Sequence, residues 1–393
     1  MAGKRKFRVA FIVSELAKWK GQSVFDLFAR SSHYDPFIVV IPYGPEFRLG
    51  PQELKKSQEE KISYFTGKGM VAISGLKNVG KETLNIDDLN ADFVFYQQPW
   101  GPFGRLEPYR VCSRALTFYF PYYMLNNLDL DLEIGQDFHK FIFRYIVPSP
   151  SVSRLYESEV RKRQIRLCGS ILPLGHPMMD RFYLEQKHSV GKGLVIYAPH
   201  WSITFGSFIT KLKYSTFLEN GREILSYAKK HPEIDWVFKP HPDLRDALIT
   251  SGAMTEAEVD AYYDDWMRIA QTCYTADYVG LFLSARAIIT DCGSFLTEFA
   301  ATGRPIIRLL SHRITVPPHP SLRELYGTYY AVRNLDEMYR AFDAVLIRGE
   351  DPKGDERRKA LESSGLLGTY AAKNILNYLN HLLKVSEGIA QCS

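Results

Sequence analysis

The chain reads as an α/β protein made of two doubly wound halves, and three observations predict this. Short apolar runs of strand length alternate with amphipathic helical stretches along the whole sequence. The alternation breaks at a polar, glycine-containing stretch, 186–193, and then begins again. At roughly 150 residues per domain, 393 residues make two to three domains, each long enough to bury a core without staples. With 46% apolar and 24% charged residues the composition is that of a globular chain, not a disordered one. No apolar run approaches the ~20 residues that span a bilayer, since Val9-Ala10-Phe11-Ile12-Val13 stops at Ser14 and Glu15. The same run follows Lys4-Arg5-Lys6 but is too short for a signal peptide, so it reads as a first strand.

From that strand, 7–13, the chain passes to a helix at 22–30 with Val24, Leu27 and Phe28 on one face, then to a strand at 36–41. Further strands are expected at 93–97, 116–120 and 143–147, with helical or irregular stretches at 51–64 and 104–113 between them. After the break, strands are expected at 194–197, 235–238, 287–290 and 306–309. The helix after Thr216 carries capping-box spacing with Glu219, an apolar stripe of Phe217, Leu218, Ile224, Leu225 and Ala228, and a basic end, Lys229-Lys230-His231. Helices are also expected at 256–270 and at 295–302, the latter closed by Gly303-Arg304-Pro305. Asn334 is set to cap 335–347, and Thr369 a final helix whose Ala372, Ile375, Leu376, Leu379, Leu382 and Leu383 share one face. The expected division is 1–180, 181–368, and a terminal helix, 369–393, packing back across the domains.

Five cysteines, widely spaced and without a CxxC pair, form neither a disulfide framework nor a zinc knuckle, which points to a cytoplasmic protein. The net charge of +5 is unevenly placed. Residues 1–170 hold 24 Lys and Arg against 18 Asp and Glu, and the remainder 25 against 26. That basic excess suits an anionic polymer, a phosphorylated acceptor or an acidic membrane surface, and permits peripheral docking on the inner face of the membrane. No basic helix or aromatic–basic repeat suggests nucleic acid.

In open parallel sheets ligands sit beyond the C-terminal strand ends, so the residues there carry the chemistry. In the second half they are Pro199-His200-Trp201-Ser202, Lys239-Pro240-His241-Pro242 and Thr290-Asp291-Cys292-Gly293-Ser294. Gly293 and Ser294 at a helix start favour phosphate oxygens, and Glu298, one turn on, suits ribose hydroxyls. Lys239 and His241 are fixed between prolines beside that anion site, which makes His241 a leaving-phosphate donor or acid–base group. No dinucleotide fingerprint, Walker loop or HExxH pattern occurs.

Together these segments, followed by Gly303-Arg304-Pro305-Ile306 and preceded by Gly175-His176-Pro177-Met178-Met179-Asp180, resemble the CDP-glycerol glycerophosphotransferase family of teichoic acid and capsule-type polymer synthesis. The resemblance covers the C-terminal half well and the N-terminal half loosely. It implies a GT-B-like architecture, two Rossmann-type domains with a central cleft, the first binding acceptor and the second the nucleotide donor. By position it implies His241 near the donor phosphates, Gly293 and Ser294 in the place of a Ser-Ser pair, and Glu298 in the place of a ribose-binding Asp, with Asp291 beside it. The family's N-terminal His-Gly motif is replaced by Tyr96-Gln97-Gln98-Pro99-Trp100-Gly101. His200 is then the remaining strand-end candidate for activating the acceptor hydroxyl.

Lys18-Trp19-Lys20-Gly21-Gln22-Ser23 and Phe120-Pro121-Tyr122 are similar to a capsule-associated branch. They offer Trp19, Trp100 and Tyr122 for stacking on sugar rings, with Lys18 and Lys20 near charge. Asp129-Leu130-Asp131 resembles the metal-binding Asp-x-Asp of another glycosyltransferase class but stands in an Asn/Asp-rich stretch, so no metal and no cofactor are expected. The expected reaction moves a glycerophosphate-like group from a cytidine-nucleotide donor to a hydroxyl of a glycan or lipid-linked polymer. A glycosyltransferase using a CMP-, CDP- or UDP-sugar and a nucleotide-sugar epimerase are the alternatives.

Overall fold

The computed structural model describes residues 5–77, 81–101, 103–124, 133–185, 193–203, 214–274, 277–311, 318–367 and 370–385. Asp129-Leu130-Asp131, Thr369 and most of the 186–193 stretch lie outside them. The chain divides into two compact units. One takes in the described residues through 123, from 133 to 181 and from 370 to 385, and the other those from 182 to 367.

The first unit holds a seven-stranded parallel sheet in the order β3-β2-β1-β4-β5-β6-β7, formed by β1 (Phe7–Val13), β2 (Tyr34–Val40), β3 (Ala72–Ser74), β4 (Phe93–Tyr96), β5 (Leu116–Tyr119), β6 (Arg144–Ile146) and β7 (Ser170–Leu172). Strand β1 runs in register with β2, Phe7 beside Tyr34 through Val13 beside Val40. It is covered on both faces, so its sequence is a nearly unbroken apolar run instead of an alternating one. An aromatic ladder crosses the sheet, with Phe11 stacked on Phe95 at 5.0 Å and Phe95 on Phe118 at 4.8 Å.

The last helix, Ala371–Leu383, belongs to this unit, where Ala372, Ile375, Leu376 and Leu379 join the core of β1, β2 and β4. Leu382 is 37% exposed, so the apolar stripe is narrower than the spacing predicts. The helix start is satisfied by a buried side chain from elsewhere in the chain. Asp180 accepts the N–H groups of Ala371 at 2.7 Å and Ala372 at 2.8 Å, together with the Ser23 hydroxyl at 2.9 Å. Further along, the Tyr34 hydroxyl donates to Asn380 at 2.7 Å.

The second unit holds a six-stranded parallel sheet, β10-β9-β8-β11-β12-β13, formed by β8 (Leu194–Ala198), β9 (Trp236–Phe238), β10 (Gln271–Thr272), β11 (Ala285–Thr290), β12 (Ile306–Leu309) and β13 (Tyr330–Val332). In both sheets the first strand is central and the order reverses beside it, between β1 and β4 and between β8 and β11. Those two places are where a doubly wound sheet opens a crevice at its C-terminal edge.

The architecture is the pair of doubly wound α/β units that the alternation predicts, Rossmann-type as the family resemblance implies with its GT-B-like fold. Several local expectations differ. Thr216 precedes the helix Phe217–Lys230 but makes no side-chain cap, because its hydroxyl donates to Asp291 instead. The helix expected from 295 begins at Gly293, and β11 begins at Ala285. Asn334 does cap its helix, accepting from Glu337 N–H at 2.9 Å, but the α-helix ends at Phe342 and continues as a π turn to Ile347. The helix Pro150–Lys162 gives little periodic signal because only Val152, Ser153 and Tyr156 are buried along it.

Asp180→Ala is expected to lower unfolding free energy by about 2 to 3 kcal/mol, because it strands two buried N–H groups, while the Ser23 hydroxyl keeps the Pro177 carbonyl as acceptor at 3.2 Å. Asp180→Asn, which keeps one accepting oxygen, is expected to lose less. Urea denaturation measures both, and an alanine variant within experimental error of wild type would sink the capping role.

Candidate active site at the second switch point

The C-terminal ends of β9, β8 and β11 bring the predicted residues of the second unit together. His241 N–H donates to Pro199 O at 3.0 Å, and Lys239 N–H to Tyr197 O at 2.9 Å, so the turn after β9 is laced to the end of β8. The rings of His200 and His241 lie 5.2 Å apart, and Trp201 packs 6.1 Å from His241. Asp291 ties the other side. Its carboxylate accepts His200 N–H at 2.7 Å, Thr216 N–H at 2.6 Å and the Thr216 hydroxyl at 3.0 Å. Asp291 is 4% exposed and turned inward, so it positions the turn after β8; this corrects its assignment to the nucleotide. Burial pushes its pKa up to about 6, against the three hydrogen bonds that favour the anion.

Both histidines are neutral imidazoles. Burial lowers His200 to about 3, with His241 adding to the effect, and lowers His241 to about 4. The hydrogen bonds also choose the tautomer. Ser202 N–H donates to His200 Nδ1 at 3.2 Å, and Asp243 N–H donates to His241 Nδ1 at 3.2 Å. A ring nitrogen that accepts carries no proton, so in each ring Nε2 bears the hydrogen and is a donor. This corrects the reading of His200 as a base, since its Nε2 has a proton to give and none to receive.

Lys239 is buried, its ammonium 5.1 Å from the Tyr278 ring centre and 5.9 Å from that of Phe295. Burial holds its pKa below the ordinary lysine value, partly offset by Cys273, Cys292 and Glu298. Glu298 is 1% exposed, and its carboxylate takes the Tyr278 hydroxyl at 2.6 Å, so a ribose there would have to displace that tyrosine. Gly293 and Ser294 form the first turn of the helix Gly293–Ala300, whose earliest intrahelical bond is Leu296 N–H to Cys292 O. The Ser294 hydroxyl lies 3.5 Å from Cys292 Sγ, so the start of this helix, the kind of place where anions bind, is partly engaged by the preceding residue.

At the switch point of the first unit, only part of the predicted set meets. The Lys18 ammonium is ion-paired with Glu15 and lies 5.9 Å from the ring centre of Trp100 and 5.1 Å from that of Tyr122. A third ring, Tyr43, stands 5.5 Å away. Tyr43 was legible as the residue following Pro42 at the end of β2, by the same strand-end rule applied elsewhere.

Trp19 is a correction. It is 8% exposed and packs edge-on against Phe11 and Phe65, inside the core. Gly21 makes room for it, because a Cβ there would meet the indole at 3.0 Å. Lys20 is also buried, its N–H donating to Gln97 at 2.6 Å, so neither Trp19 nor Lys20 presents itself to a sugar.

No family model and no curated protein matches this sequence. Solved structures do. A putative UDP-N-acetylglucosamine 2-epimerase from Listeria monocytogenes is similar with a TM-score of 0.58 at 11% identity, covering 99% of this chain and 100% of that one. S. aureus MnaA in complex with UDP is similar with a TM-score of 0.55 at 12% identity, covering 97% and 98%. The wall teichoic acid polymerase TagF is similar with a TM-score of 0.55 at 11% identity, covering 96% of this chain and 89% of that one. At these identities the likeness is one of fold, shared equally by epimerases and a polymerase.

Acid is expected to destabilise the protein below about pH 6.5. His139, His176, His200, His241 and His319 are all lowered to between about 3 and 4 by burial, so the unfolded chain takes up their protons first. Their stabilisation is complete above 6.5 and is lost as the pH falls toward 4. Asp180 and Asp291, raised to about 6, act in the opposite sense but are two against five. The melting temperature should fall steadily from pH 7 to pH 5, and a flat or rising profile would contradict the neutral-imidazole assignment.

Proposed function

We propose that this protein is a transferase that moves a glycerophosphate-like group from a cytidine-nucleotide donor to a hydroxyl of a surface glycan or phosphopolymer. The observation that carries the reading is the set of donors at the second switch point: two neutral Nε2–H groups, a buried ammonium and a helix start. All of them give hydrogen bonds or positive charge, and none requires reorganisation to do so. That is what a departing nucleotide needs. The acceptor oxygen bonds to the donor phosphorus, the P–O bond to CMP breaks, and the negative charge that collects on CMP is met by Lys239, His241 and Ser294.

The Lys18, Tyr43, Trp100 and Tyr122 group supports an acceptor with sugar or polyol character, since rings of this kind stack on carbohydrate faces while an ammonium binds phosphate. The acceptor proton goes to a group other than His200 or His241, because both already carry hydrogen on the nitrogen they present. Among the described residues, no helix is long and apolar enough to cross a membrane. The basic excess in the first 170 residues supports peripheral contact with a lipid-linked acceptor.

A second reading, a nucleotide-sugar epimerase, is favoured by the likeness in fold to several UDP-N-acetylglucosamine 2-epimerases. Incubation with CDP-glycerol and with CMP-, CDP- and UDP-sugars, with and without acceptor, separates the two by mass spectrometry. Release of CMP only with acceptor supports the transferase, and an altered sugar without acceptor supports the epimerase. His241→Ala and Ser294→Ala are each expected to lower turnover of the true donor by about 10². Turnover within a few-fold of wild type in both variants would remove these residues from the site.

A further inference from the structure

Arg308 stands where a cation is costly. It lies on β12, in register with Thr290 at the end of β11 and with Ala331 on β13, so it shares the C-terminal edge that holds His200 and Ser294. Its side chain is largely enclosed, and burial holds its pKa below the usual arginine value. Among the described residues, the titratable groups that act on it are Tyr326, Tyr329, Tyr214 and a second cation, Arg333, and none of these is a carboxylate. The guanidinium rests 5.0 Å from the Tyr326 ring centre and makes no hydrogen bond or ion pair with any described residue.

Other enclosed arginines of this unit are satisfied. Arg286 donates to Gly193 O, Arg304 to Leu283 O, and Arg357 to Gly303 O and Asp351. A guanidinium has five donors, and leaving them unused away from bulk water is unfavourable. Arg308 is the exception, and its neighbours locate it. The Tyr214 ring is 5.6 Å from that of His200, and the Tyr326 hydroxyl is 3.3 Å from Thr297 on the helix Gly293–Ala300. In sheet order the cations therefore bracket the helix start, with Lys239 after β9 on one side and Arg308 on β12 on the other.

We propose that Arg308 is a binding residue for the second phosphate of a diphosphate whose first phosphate sits at the Gly293–Ser294 helix start. Planar, forked donors match two phosphate oxygens at once, and a ligand is the partner the fold withholds. The inference rests on the nucleotide reading above and gives it a discriminating feature. The site selects nucleoside diphosphates over monophosphates, and Arg308 is the reason.

The test is calorimetric titration of wild type, Arg308→Met and Arg308→Lys with CDP, UDP, CMP, UMP and inorganic pyrophosphate. Wild type is expected to bind a diphosphate at least about tenfold more tightly than its monophosphate, a margin that Arg308→Met abolishes while monophosphate affinity stays within about twofold. Arg308→Lys should keep part of the margin. Without ligand, Arg308→Met should melt at or above the wild-type temperature, because it removes an unpaired buried charge. A marked fall in that temperature with an unchanged diphosphate margin would mean a structural arginine and overturn the proposal. If wild type bound pyrophosphate through Arg308 but no nucleotide, the nucleotide reading would fail and the anion receptor stand. If wild type bound neither pyrophosphate nor a diphosphate, the proposal would fail.

Discussion

Two buried carboxylates hold this chain's architecture in place, and neither is neutralised by a cation. Asp180 receives two N–H groups of the last helix and the Ser23 hydroxyl, and Asp291 receives two N–H groups and the hydroxyl of Thr216. Each raised pKa shows that burial works against the charge, yet each anion is the one acceptor strong enough to gather three donors from distant segments. For Asp180 the consequence is that residues 371–383 fold onto the first sheet, though they follow the whole second unit in sequence. For Asp291 it is that the turns after β8 and β11 share one anchor, so His200 and the helix start cannot move independently.

The same economy governs the strand ends. A parallel strand buried on both faces leaves side chains available to a ligand only beyond its C-terminus. In the second sheet those ends deliver hydrogen-bond donors, and in the first they deliver aromatic faces around one ammonium. The division of chemistry between the two sheets thus follows from which residues stand one to five positions past each strand. It also explains the contrast within Lys18-Trp19-Lys20: consecutive residues just beyond a strand turn in different directions, and Gly21 leaves the space that draws Trp19 into the core.

The sheet strands with unbroken apolar runs were legible in the sequence, β1 and β8 above all, because double-sided burial writes itself directly into composition. Strands β3, β7 and β13 were not, since three residues with partial exposure carry no period. In the candidate site, Lys239, His241, Gly293 and Ser294 were singled out by position after a strand, and the structure places them at those strand ends. The partners that decide their chemistry were not. Thr216 reads locally as a helix cap, and only a fold that brings residue 291 beside it reveals the better acceptor. Tyr278 likewise meets Glu298 through a contact that no local spacing encodes. Arg308 looked like one more charge on a strand, because the absence of a partner is visible only when every neighbour is placed.

The candidate site of the second unit is assembled from groups held in states that water would not choose. Burial holds two imidazoles neutral, an ammonium lies near aromatic rings, and a guanidinium is largely enclosed with no acceptor among the described residues. A core optimised for stability alone would replace such groups with apolar ones of similar volume. What they have in common is place: each stands at or just past the C-terminal end of β8, β9 or β12, while the carboxylates of Asp291 and Glu298 accept from Thr216 and Tyr278. On the reading proposed above, these enclosed cations suit a ligand rich in oxygen and negative charge, whose second phosphate would engage Arg308.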